Sequence, residues 1–504
     1  MAALAPARPE RRPPPRFTPL AGAEGLRLAE DKVAASAYRR VAGKWLVTAD
    51  HGGWSMLNEG DFRSYLQGRL GPADAAYAEL EAEGLVRDRL DFAGLSARWA
   101  DKDEFLFRAA PLHIVVSTLR CNHKCLYCHS SVFGVERVDK DMTLETAQQA
   151  VDFAFECPTP APIIEFQGGE PLLNWPVVKF AARYAKLKAK AAERTAFVTM
   201  VSNFSLMDDE KRAFLLDEKI AVCTSLDGPA ALHDKNRLYT GGASHGETAR
   251  WLRAFQEEKN GYKPGALMTT TRFSLESPER IVDEYLALDL PGIFLRPLSP
   301  IGFARRSWGT IGYTVDEFLR FYRRALDYII LVNRRGTPFY ERHLLTLLTK
   351  VLLSRDPGYA DLRSPSGAGF GVLAYDYDGG IYTGDEARMV AQDGDTLFRV
   401  GTLGKSSYND VLDHQVVRTA AMATTLEHQP LCSQCAYRPW CGLDSVYNRQ
   451  VQGSLWGRMP DNGRCRLYMG LFDTLFEKLQ DPEAREVFDS WLDDAPRAVP
   501  RENS

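Results

Sequence analysis

Residues Leu112–Ser131 read LHIVVSTLRCNHKCLYCHSS. An apolar run long enough for one buried strand passes directly into a loop that carries Cys121, Cys125 and Cys128. Three thiolates at this CxxxCxxC spacing can surround one face of an iron–sulfur cube and leave the fourth iron without a protein ligand. The alternative is a zinc site completed by His123 or His129.

Apolar strands and helices alternate from this run onward. Strands are predicted at Leu112–Ser117, Ile163–Gln167, Ala196–Ser202, Ile220–Leu226, Gly265–Thr270 and Ile293–Pro297. Helices are predicted at Leu144–Glu156, Trp175–Glu193, Asp208–Asp217, Glu247–Glu258 and Pro278–Leu288. Apolar strands separated by helices predict a buried parallel sheet of the α/β class. Six units are fewer than a closed eightfold barrel has, so we predict a partial (β/α)6 TIM-like barrel with its functional groups at the strand ends.

The cysteine loop after the first strand resembles the signature of the radical S-adenosylmethionine (SAM) superfamily. That signature has an aromatic residue before the third cysteine, and Tyr127 stands there. The resemblance implies that the open iron of a [4Fe–4S] cluster chelates SAM. It also implies that an electron from the cluster cleaves SAM to a 5′-deoxyadenosyl radical.

Motifs at later strand ends extend the resemblance and imply a set of cofactor-binding residues. Gln167-Gly168-Gly169-Glu170-Pro171 resembles the family's GGEP motif, which binds the amino group of SAM; glycines allow close backbone approach to a ligand. Ser225-Leu226-Asp227-Gly228-Pro229 with Arg237 resembles a stretch whose serine and arginine hold the SAM carboxylate. The alternative for Asp227 and Arg237 is a local ion pair. The full predicted set is Tyr127, Gln167, Gly168, Gly169, Glu170, Pro171, Ser202, Asn203, Ser225, Asp227 and Arg237.

A second cysteine group has the pattern CxxC-x5-C…C and comprises Cys432, Cys435, Cys441 and Cys465. Four cysteines at such spacing also suit a structural zinc ribbon. The pattern resembles the SPASM domain, a C-terminal extension of peptide-modifying radical SAM enzymes that binds two auxiliary [4Fe–4S] clusters. The four cysteines match the ligands of the second of these clusters.

Three further cysteines of the SPASM pattern are replaced here by Ser366, Gly384 and Ser445. In the family they belong to the first auxiliary cluster. The resemblance therefore implies one auxiliary [4Fe–4S] cluster, fully ligated by cysteine, and no first auxiliary cluster. A fully ligated cluster has no open iron, so electron transfer or structural support is its expected role. Asp385 and Glu386 follow the second replaced position and could include a proton acceptor; exposed loop charges are the alternative.

The N-terminal part is predicted to form a small winged-helix-like module. Tyr38–Ala49 alternates like one strand, Trp54–Leu57 is a second, and helices are expected at Glu59–Gln67 and Pro72–Glu83. The module resembles the PqqD-related element that captures the leader of a precursor peptide as an added strand. The predicted division is a flexible arm (1–34), this module (35–105), the barrel core (106–315), a helical bridge at Phe318–Leu353 (316–360), the SPASM-like domain (361–475) and a tail (476–504).

Across most of its length the chain resembles radical SAM/SPASM peptide maturases, and most of all the maturase of the His-Xaa-Ser system (HxsB type). The resemblance implies a ribosomally made precursor peptide as substrate, hydrogen abstraction from a side-chain carbon, and an intramolecular cross-link such as a cyclophane. An electron donor such as flavodoxin or ferredoxin is implied as a partner. Two alternatives stay open: a sulfatase-maturase-like oxidation of a protein Cys or Ser, and a non-enzymatic zinc-binding peptide carrier.

Composition supports an ordinary globular protein, with 45% hydrophobic and 25% charged residues among 504. The net charge of −4, from 62 basic and 66 acidic residues, gives no support for nucleic-acid binding. No apolar run approaches the roughly 20 residues that cross a membrane. The N-terminal sequence lacks the apolar stretch of a secretory signal, so a cytoplasmic location is expected. Cys157 and Cys223 are interpreted as ordinary thiols.

Overall fold

A computed structural model describes residues 28–257 and 262–494. Most of the predicted N-terminal arm, residues 1–27, lies outside this part of the chain, as do the last ten residues of the predicted tail. Within the described residues, no helix combines the length and the apolar character needed to span a membrane.

The N-terminal module is a three-stranded antiparallel sheet followed by short helices. Its elements are β1 (Ala37–Val41), β2 (Lys44–Thr48), β3 (Trp54–Leu57), α1 (Glu59–Leu66), α2 (Tyr77–Ala82) and α3 (Phe92–Lys102). The prediction of one strand over Tyr38–Ala49 was wrong, because Ala42 (φ 46°) and Gly43 (φ 85°) form a two-residue hairpin turn between β1 and β2. The folded module also begins earlier than residue 35, since Val33 is buried and bridges to Val86.

The central sheet contains the predicted barrel strands in parallel. Its strands are β4 (Leu112–Thr118), β6 (Ile163–Gly168), β7 (Phe197–Ser202), β8 (Ala221–Ser225), β10 (Gly265–Thr269) and β12 (Leu295–Arg296), with the short pair β5 (His123–Cys125) and β9 (Arg237–Tyr239) beside it. The helices between them are α4 (Leu144–Glu156), α5 (Trp175–Ala191), α6 (Asp209–Asp217), α7 (Ala230–Asn236), α8 (Ser244–Gln256) and α9 (Pro278–Ala287). The apolar strands therefore form the predicted parallel sheet, in chain order from β4 to β12.

The predicted sixth strand, Ile293–Pro297, is divided in two. Its first half is β11 (Gly292–Ile293), which pairs with β13 (Tyr340–Glu341), and its second half is β12. The buried Glu341 carboxylate accepts a hydrogen bond from the Leu295 N–H at 3.0 Å. This side chain therefore satisfies a backbone donor where the strand changes partner.

The predicted helical bridge over Phe318–Leu353 is two helices. They are α11 (Val315–Arg334) and α12 (Arg342–Leu353), and α10 (Gly302–Ile311) precedes them. Thr314 and Glu317 form a capping box at the start of α11, and Gly336 (φ 90°) ends the turn after it. The segment is helical as predicted, and the turn at Gly336 divides it into two helices.

The C-terminal region continues the barrel sheet. Its elements are β14 (Val372–Tyr375), β15 (Gly380–Tyr382), α13 (Asp385–Gln392), β16 (Arg399–Thr402), α14 (Tyr408–Asp413), α15 (Gln415–Thr424), α16 (Ser445–Gln452), α17 (Gly463–Lys478) and α18 (Pro482–Asp494). β14 pairs in parallel with β4, and β15 and β16 extend the sheet to nine strands. Residues 476–494 are not a loose tail, because Phe476, Phe488 and Trp491 are buried in the core.

Candidate functional site

Cys121, Cys125 and Cys128 follow β4 on a loop whose backbone is tied to two other segments. The Cys121 N–H donates to the Phe133 carbonyl at 2.9 Å, and Cys125 in β5 lies opposite Arg237 in β9. The Cys128 N–H donates to the Cys125 carbonyl at 3.1 Å, so the second and third cysteines share one turn. Burial raises the pKa of Cys125 to about 12. Metal binding would therefore displace protons from these thiols.

Gly168 and Gly169 allow the end of β6 to run against this loop. Gly168 has φ +129°, and a Cβ there would lie 2.2 Å from the Thr118 carbonyl oxygen. A Cβ on Gly169 would lie 2.0 Å from the carbonyl oxygen of Arg120. The Gly169 and Glu170 N–H groups donate to these two carbonyls, both at 2.8 Å. The sequence predicted that these glycines let the backbone approach a ligand closely. In the structure they let it approach the cysteine loop instead.

Glu170 is fully buried and joins several of the predicted cofactor-binding residues. One carboxylate oxygen accepts hydrogen bonds from Ser202 Oγ (2.8 Å) and the Leu172 N–H (3.1 Å), and the other accepts from the Asn203 N–H (2.8 Å). Burial raises the pKa of Glu170 to about 7, against the effect of these hydrogen bonds. Asn203 Nδ2 in turn donates to Asn122 Oδ1 at 3.0 Å, next to Cys121. A carboxylate has about four acceptor positions, so one stays available to an ammonium group.

Asp227 is the centre of a second buried network. Its carboxylate accepts from Tyr127 Oη at 2.8 Å and from the Thr269 N–H at 3.2 Å. Arg237 Nε lies 3.2 Å from Asp227 Oδ2, and its guanidinium lies over the Tyr127 ring, 5.2 Å from the centroid. The local ion pair that the sequence offered as the alternative is therefore present. This network fixes the aromatic residue of the cysteine loop against the end of β8.

His129 and His123, the two histidines that could complete a zinc site, have different surroundings. His129 Nε2 lies 3.1 Å from the Ser299 carbonyl oxygen, and the His123 ring lies 4.7 Å from the Tyr239 ring. Burial lowers the pKa of His123 to about 4. Over residues 28–257 and 262–494, no group of three or more His, Cys, Asp or Glu side chains is arranged to hold a metal ion directly. The fit of a cluster therefore rests on the donor set and its surroundings.

Cys432, Cys435, Cys441 and Cys465 line one small cavity in the C-terminal region. Apolar and aromatic side chains complete most of its wall: Leu426, Tyr437, Leu443, Met469 and Phe472. Burial, followed by the neighbouring thiols, raises the pKa of Cys432 to about 12 and that of Cys465 to about 11. Four thiols facing one apolar cavity fit a fully cysteine-ligated cluster, which needs sulfur donors and little polar contact.

The three replaced cysteine positions lie close to one apolar cluster. Ser366 and Ser445 are buried, and neither hydroxyl has a hydrogen-bond partner among the described residues. Gly384 precedes α13, and a Cβ there would meet only Val372 Cγ1 at 3.7 Å. The cluster behind them contains Tyr382, Ala387 and Val446. Position 384 therefore has room for a side chain but does not carry one.

Asp385 and Glu386 begin α13, so the prediction that they are exposed loop charges was wrong. Asp385 Oδ1 accepts from Arg388 Nη2 at 2.6 Å, and Arg388 is fully buried. Arg388 also donates to Ser130 Oγ at 3.3 Å, two residues after Cys128. Glu386 Oε1 lies 3.7 Å from the guanidinium of Arg296. The sequence had singled out neither arginine, although Arg296 stands where a functional residue is expected, at the end of the sixth strand.

The other predicted site residues line the strand ends without joining either network. Gln167 Nε2 donates to Glu165 Oε1 at 2.5 Å, and Pro171 is buried at the start of a short turn. Ser225 ends β8 and is half-buried. Cys157 is buried on the outside of the sheet, and Cys223 lies on β8, separate from both cysteine groups.

Comparison with known proteins identifies the central region. Residues 115–271 match the radical SAM superfamily. The chain is 24% identical over 378 residues to the Fe-coproporphyrin III synthase of Methanosarcina barkeri, which covers 69% of this chain and 87% of that protein. It is 28% identical over 139 residues to a cysteine-type anaerobic sulfatase-maturating enzyme of Clostridium perfringens, covering 25% and 36% of the two chains. An uncharacterised protein of Methanothermobacter thermautotrophicus is 27% identical over 178 residues, which are 34% of this chain and 62% of that one.

Solved structures share the fold. The structure of native anSMEcpe with bound AdoMet and the Kp18Cys peptide matches with a TM-score of 0.63 at 17% identity, over 75% of this chain and 99% of that one. Streptococcus suis SuiB bound to the precursor peptide SuiA matches with a TM-score of 0.51 at 12% identity, over 85% and 98%. Both likenesses cover more of the chain than residues 115–271 alone.

Proposed function

This chain is a radical SAM enzyme, and on that premise we propose that it modifies a ribosomally made precursor peptide by forming an intramolecular cross-link. The carrying observation is that two separate cysteine sets, three on the loop after β4 and four around an enclosed cavity, share a chain with a small antiparallel sheet module whose edge strands are β1 and β3. The HxsB-type maturases are the proposed subfamily, on the AGKWLVTADHGGW and YTGDEAR stretches.

Cys121, Cys125 and Cys128 would hold the radical SAM cluster, which with bound SAM supplies the 5′-deoxyadenosyl radical. Glu170 has an acceptor position left for the SAM ammonium. Hydrogen bonds from Ser202 and Asn203 hold the Glu170 carboxylate in place. Arg237 would face the SAM carboxylate with the part of its guanidinium that Asp227 does not engage. Ser225, Gln167 and Pro171 complete this proposed binding surface.

Cys432, Cys435, Cys441 and Cys465 would hold one auxiliary [4Fe–4S] cluster. Their cavity is enclosed and apolar, so every iron would have a protein thiolate and none would be open to substrate. The proposed role of this group is electron transfer or support of the C-terminal region. An electron donor such as flavodoxin or ferredoxin belongs to the same proposal.

The N-terminal module offers a surface suited to an extended peptide. β1 and β3 are the two edge strands of the sheet, and β1 contacts α17 through Arg39, whose guanidinium pairs with Asp473 at 2.7 Å. Helix α3 has no buried residue, and Phe92 and Trp99 are 77% and 45% exposed. An added strand uses main-chain hydrogen bonds for affinity and apolar pockets for specificity. We infer that the leader of the precursor binds this module.

The leader-binding part of the proposal can be tested with Phe92→Glu. A glutamate at the first turn of α3 suits the helix end, so folding is expected to be kept. Loss of one apolar anchor should weaken leader binding at least about tenfold. Fluorescence anisotropy with the labelled leader of a precursor encoded beside the enzyme measures this. Leu187→Glu, at an exposed apolar site on α5, is the control; equal weakening by both variants would remove the module from leader binding.

The reaction itself is tested by co-expressing the enzyme with that precursor. Each cross-link removes two hydrogens from the peptide, so mass spectrometry should show a loss of about 2 Da per cross-link together with 5′-deoxyadenosine formation. A peptide of unchanged mass from an enzyme that cleaves SAM would reject the proposed function.

A second candidate is oxidation of a Cys or Ser side chain of a protein, which the similarity to a sulfatase-maturating enzyme favours. The replaced positions Ser366, Gly384 and Ser445 argue against it, because the sulfatase maturases that the chain resembles carry both auxiliary clusters. Iron analysis separates the two: about eight irons per chain fit the two proposed clusters, and about twelve fit three.

A further inference from the structure

Glu386 differs from every carboxylate around it because it has no hydrogen bond within the described residues. Its one close charged contact is Arg296, at 3.7 Å. Asp385 is bonded to Arg388 at 2.6 Å, Asp361 is paired with Arg464 at 3.1 Å, and Asp444 accepts the Val446 N–H at 2.8 Å. Glu386 is thus the carboxylate of this group whose acceptor positions are free for another molecule.

The Glu386 side chain is partly buried and partly exposed to solvent. A third of the Glu386 side chain (35%) and 40% of the Arg296 side chain are exposed, so solvent and a solute can reach both charged groups. Arg296 ends β12, on the sheet edge that also carries the first cysteine loop. Glu386 therefore faces the space at the carboxyl ends of the barrel strands.

Neighbours of Glu386 are bonded to residues beside both cysteine groups. Two residues along α13, Arg388 is bonded to Ser130 of the first cysteine loop. Asp361, whose charge acts on Glu386, pairs with Arg464, the residue before Cys465 of the second group. Glu386 therefore belongs to a set of charged residues that contacts the surroundings of both groups.

We propose that Glu386 is the proton acceptor in the peptide-modifying step, with Arg296 as a positioning residue for its carboxylate. This rests on the proposed function. Bound SAM and its cluster would supply removal of one hydrogen atom from a substrate carbon. As that carbon bonded to a second substrate atom, Glu386 would accept the second atom's proton. The remaining electron would go to an oxidised iron–sulfur cluster, so that the peptide loses two hydrogens in total.

The electrostatics of the pocket suit this role. Burial, and then the carboxylates of Asp361, Asp385 and Asp444, raise the pKa of Glu386 to about 7, while Arg296 opposes the shift. A base whose pKa lies near the working pH combines a useful ionised fraction with greater basicity than an ordinary glutamate has. Product formation should therefore rise with pH through about 7 and then level off, because only the ionised carboxylate accepts a proton.

Glu386→Gln tests the proposal in the full-length enzyme with both clusters reconstituted. The variant keeps the side-chain shape and removes the base, so cross-linked peptide should fall by about 100-fold or more. Iron content and 5′-deoxyadenosine formation should stay near the wild-type values. Glu145→Gln, at an exposed carboxylate on α4, is the matched control and should keep full activity.

Glu386→Asp retains a carboxylate on a shorter side chain and guards against loss of folding in the glutamine variant. It should recover part of the product formation and move the midpoint of the pH profile. Equal rates and pH profiles for wild type, Glu386→Gln and Glu386→Asp would overturn this inference alone. A wild-type enzyme that cleaves SAM and leaves the precursor unchanged would overturn the proposed function, and this inference with it.

Discussion

The two cysteine groups of this chain differ in nearly everything except their thiols. The first has three cysteines on a loop beside buried polar networks centred on Glu170 and Asp227, at the open end of the barrel. The second has four cysteines around an enclosed cavity with a mostly apolar wall. Polar groups near the first can orient a charged ligand, whereas the second offers a ligand neither space nor partners. The contrast fits the proposal that the first group serves the reaction and the second holds an enclosed cluster.

Of the changes that test this contrast, removal of the first cysteine group should have the largest effect on SAM cleavage. With Cys121, Cys125 and Cys128 all changed to alanine, we expect no 5′-deoxyadenosine above background and a fall from about eight to about four irons per chain. Chromatography of the nucleoside and iron analysis of anaerobically purified protein measure both. Cys157→Ala, outside both groups, should change neither; SAM cleavage by the triple variant would break the assignment.

Gly169→Ala should cause the next largest loss of SAM cleavage, because the alanine Cβ would lie 2.0 Å from the Arg120 carbonyl oxygen. The cysteine loop would have to move, and displacement of a reacting group by about 1 Å can cost about 100-fold in rate. The rate of 5′-deoxyadenosine formation reports the loss. Gly384→Ala is the control, since its Cβ meets nothing closer than 3.7 Å; similar rates for the two variants would show that the loop tolerates displacement.

Arg388→Ala should act on stability, because it removes a buried link between the two regions. The change leaves the Asp385 carboxylate buried and unpaired, which costs about 3–5 kcal/mol. Arg399→Ala breaks an ion pair with Asp378 that is about two-fifths exposed on each side, and should cost about 0–1 kcal/mol. Denaturant unfolding compares the two. Equal losses would mean that α13 is not held to the cysteine loop through Arg388.

Replacement of all four C-terminal cysteines by alanine should have the smallest effect on SAM cleavage itself. We expect a loss of about four irons and of peptide cross-linking, with 5′-deoxyadenosine formation under dithionite kept within a few-fold of wild type. Electron paramagnetic resonance of the reduced protein should then show a single cluster. Complete loss of SAM cleavage, with the first cluster intact, would make the second group part of the radical-forming site.

Much of the barrel could be predicted from local pattern. The apolar run in LHIVVST and its successors predicted six parallel strands, because a strand buried on both faces needs apolar residues throughout. The failures occurred where a pattern continues across a break. Alternation runs through the turn at Ala42–Gly43, so one strand was predicted where the chain has two; the predicted helical bridge likewise did not reveal its division at Gly336.

The sequence by itself determined the grouping of the cysteines and thereby predicted two sulfur donor sets, because cysteine spacing limits which thiols can meet around one centre. Only the tertiary structure decided which of the acidic side chains are paired with arginines. Asp385 and Glu386 are neighbours in the chain, yet Asp385 is paired with a buried arginine, and Glu386 is partly exposed with no hydrogen bond among the described residues. The joining of β14 to β4, which brings α13 to the barrel, is a pairing between segments far apart in sequence. Such contacts depend on packing of the whole chain, and no local pattern records them.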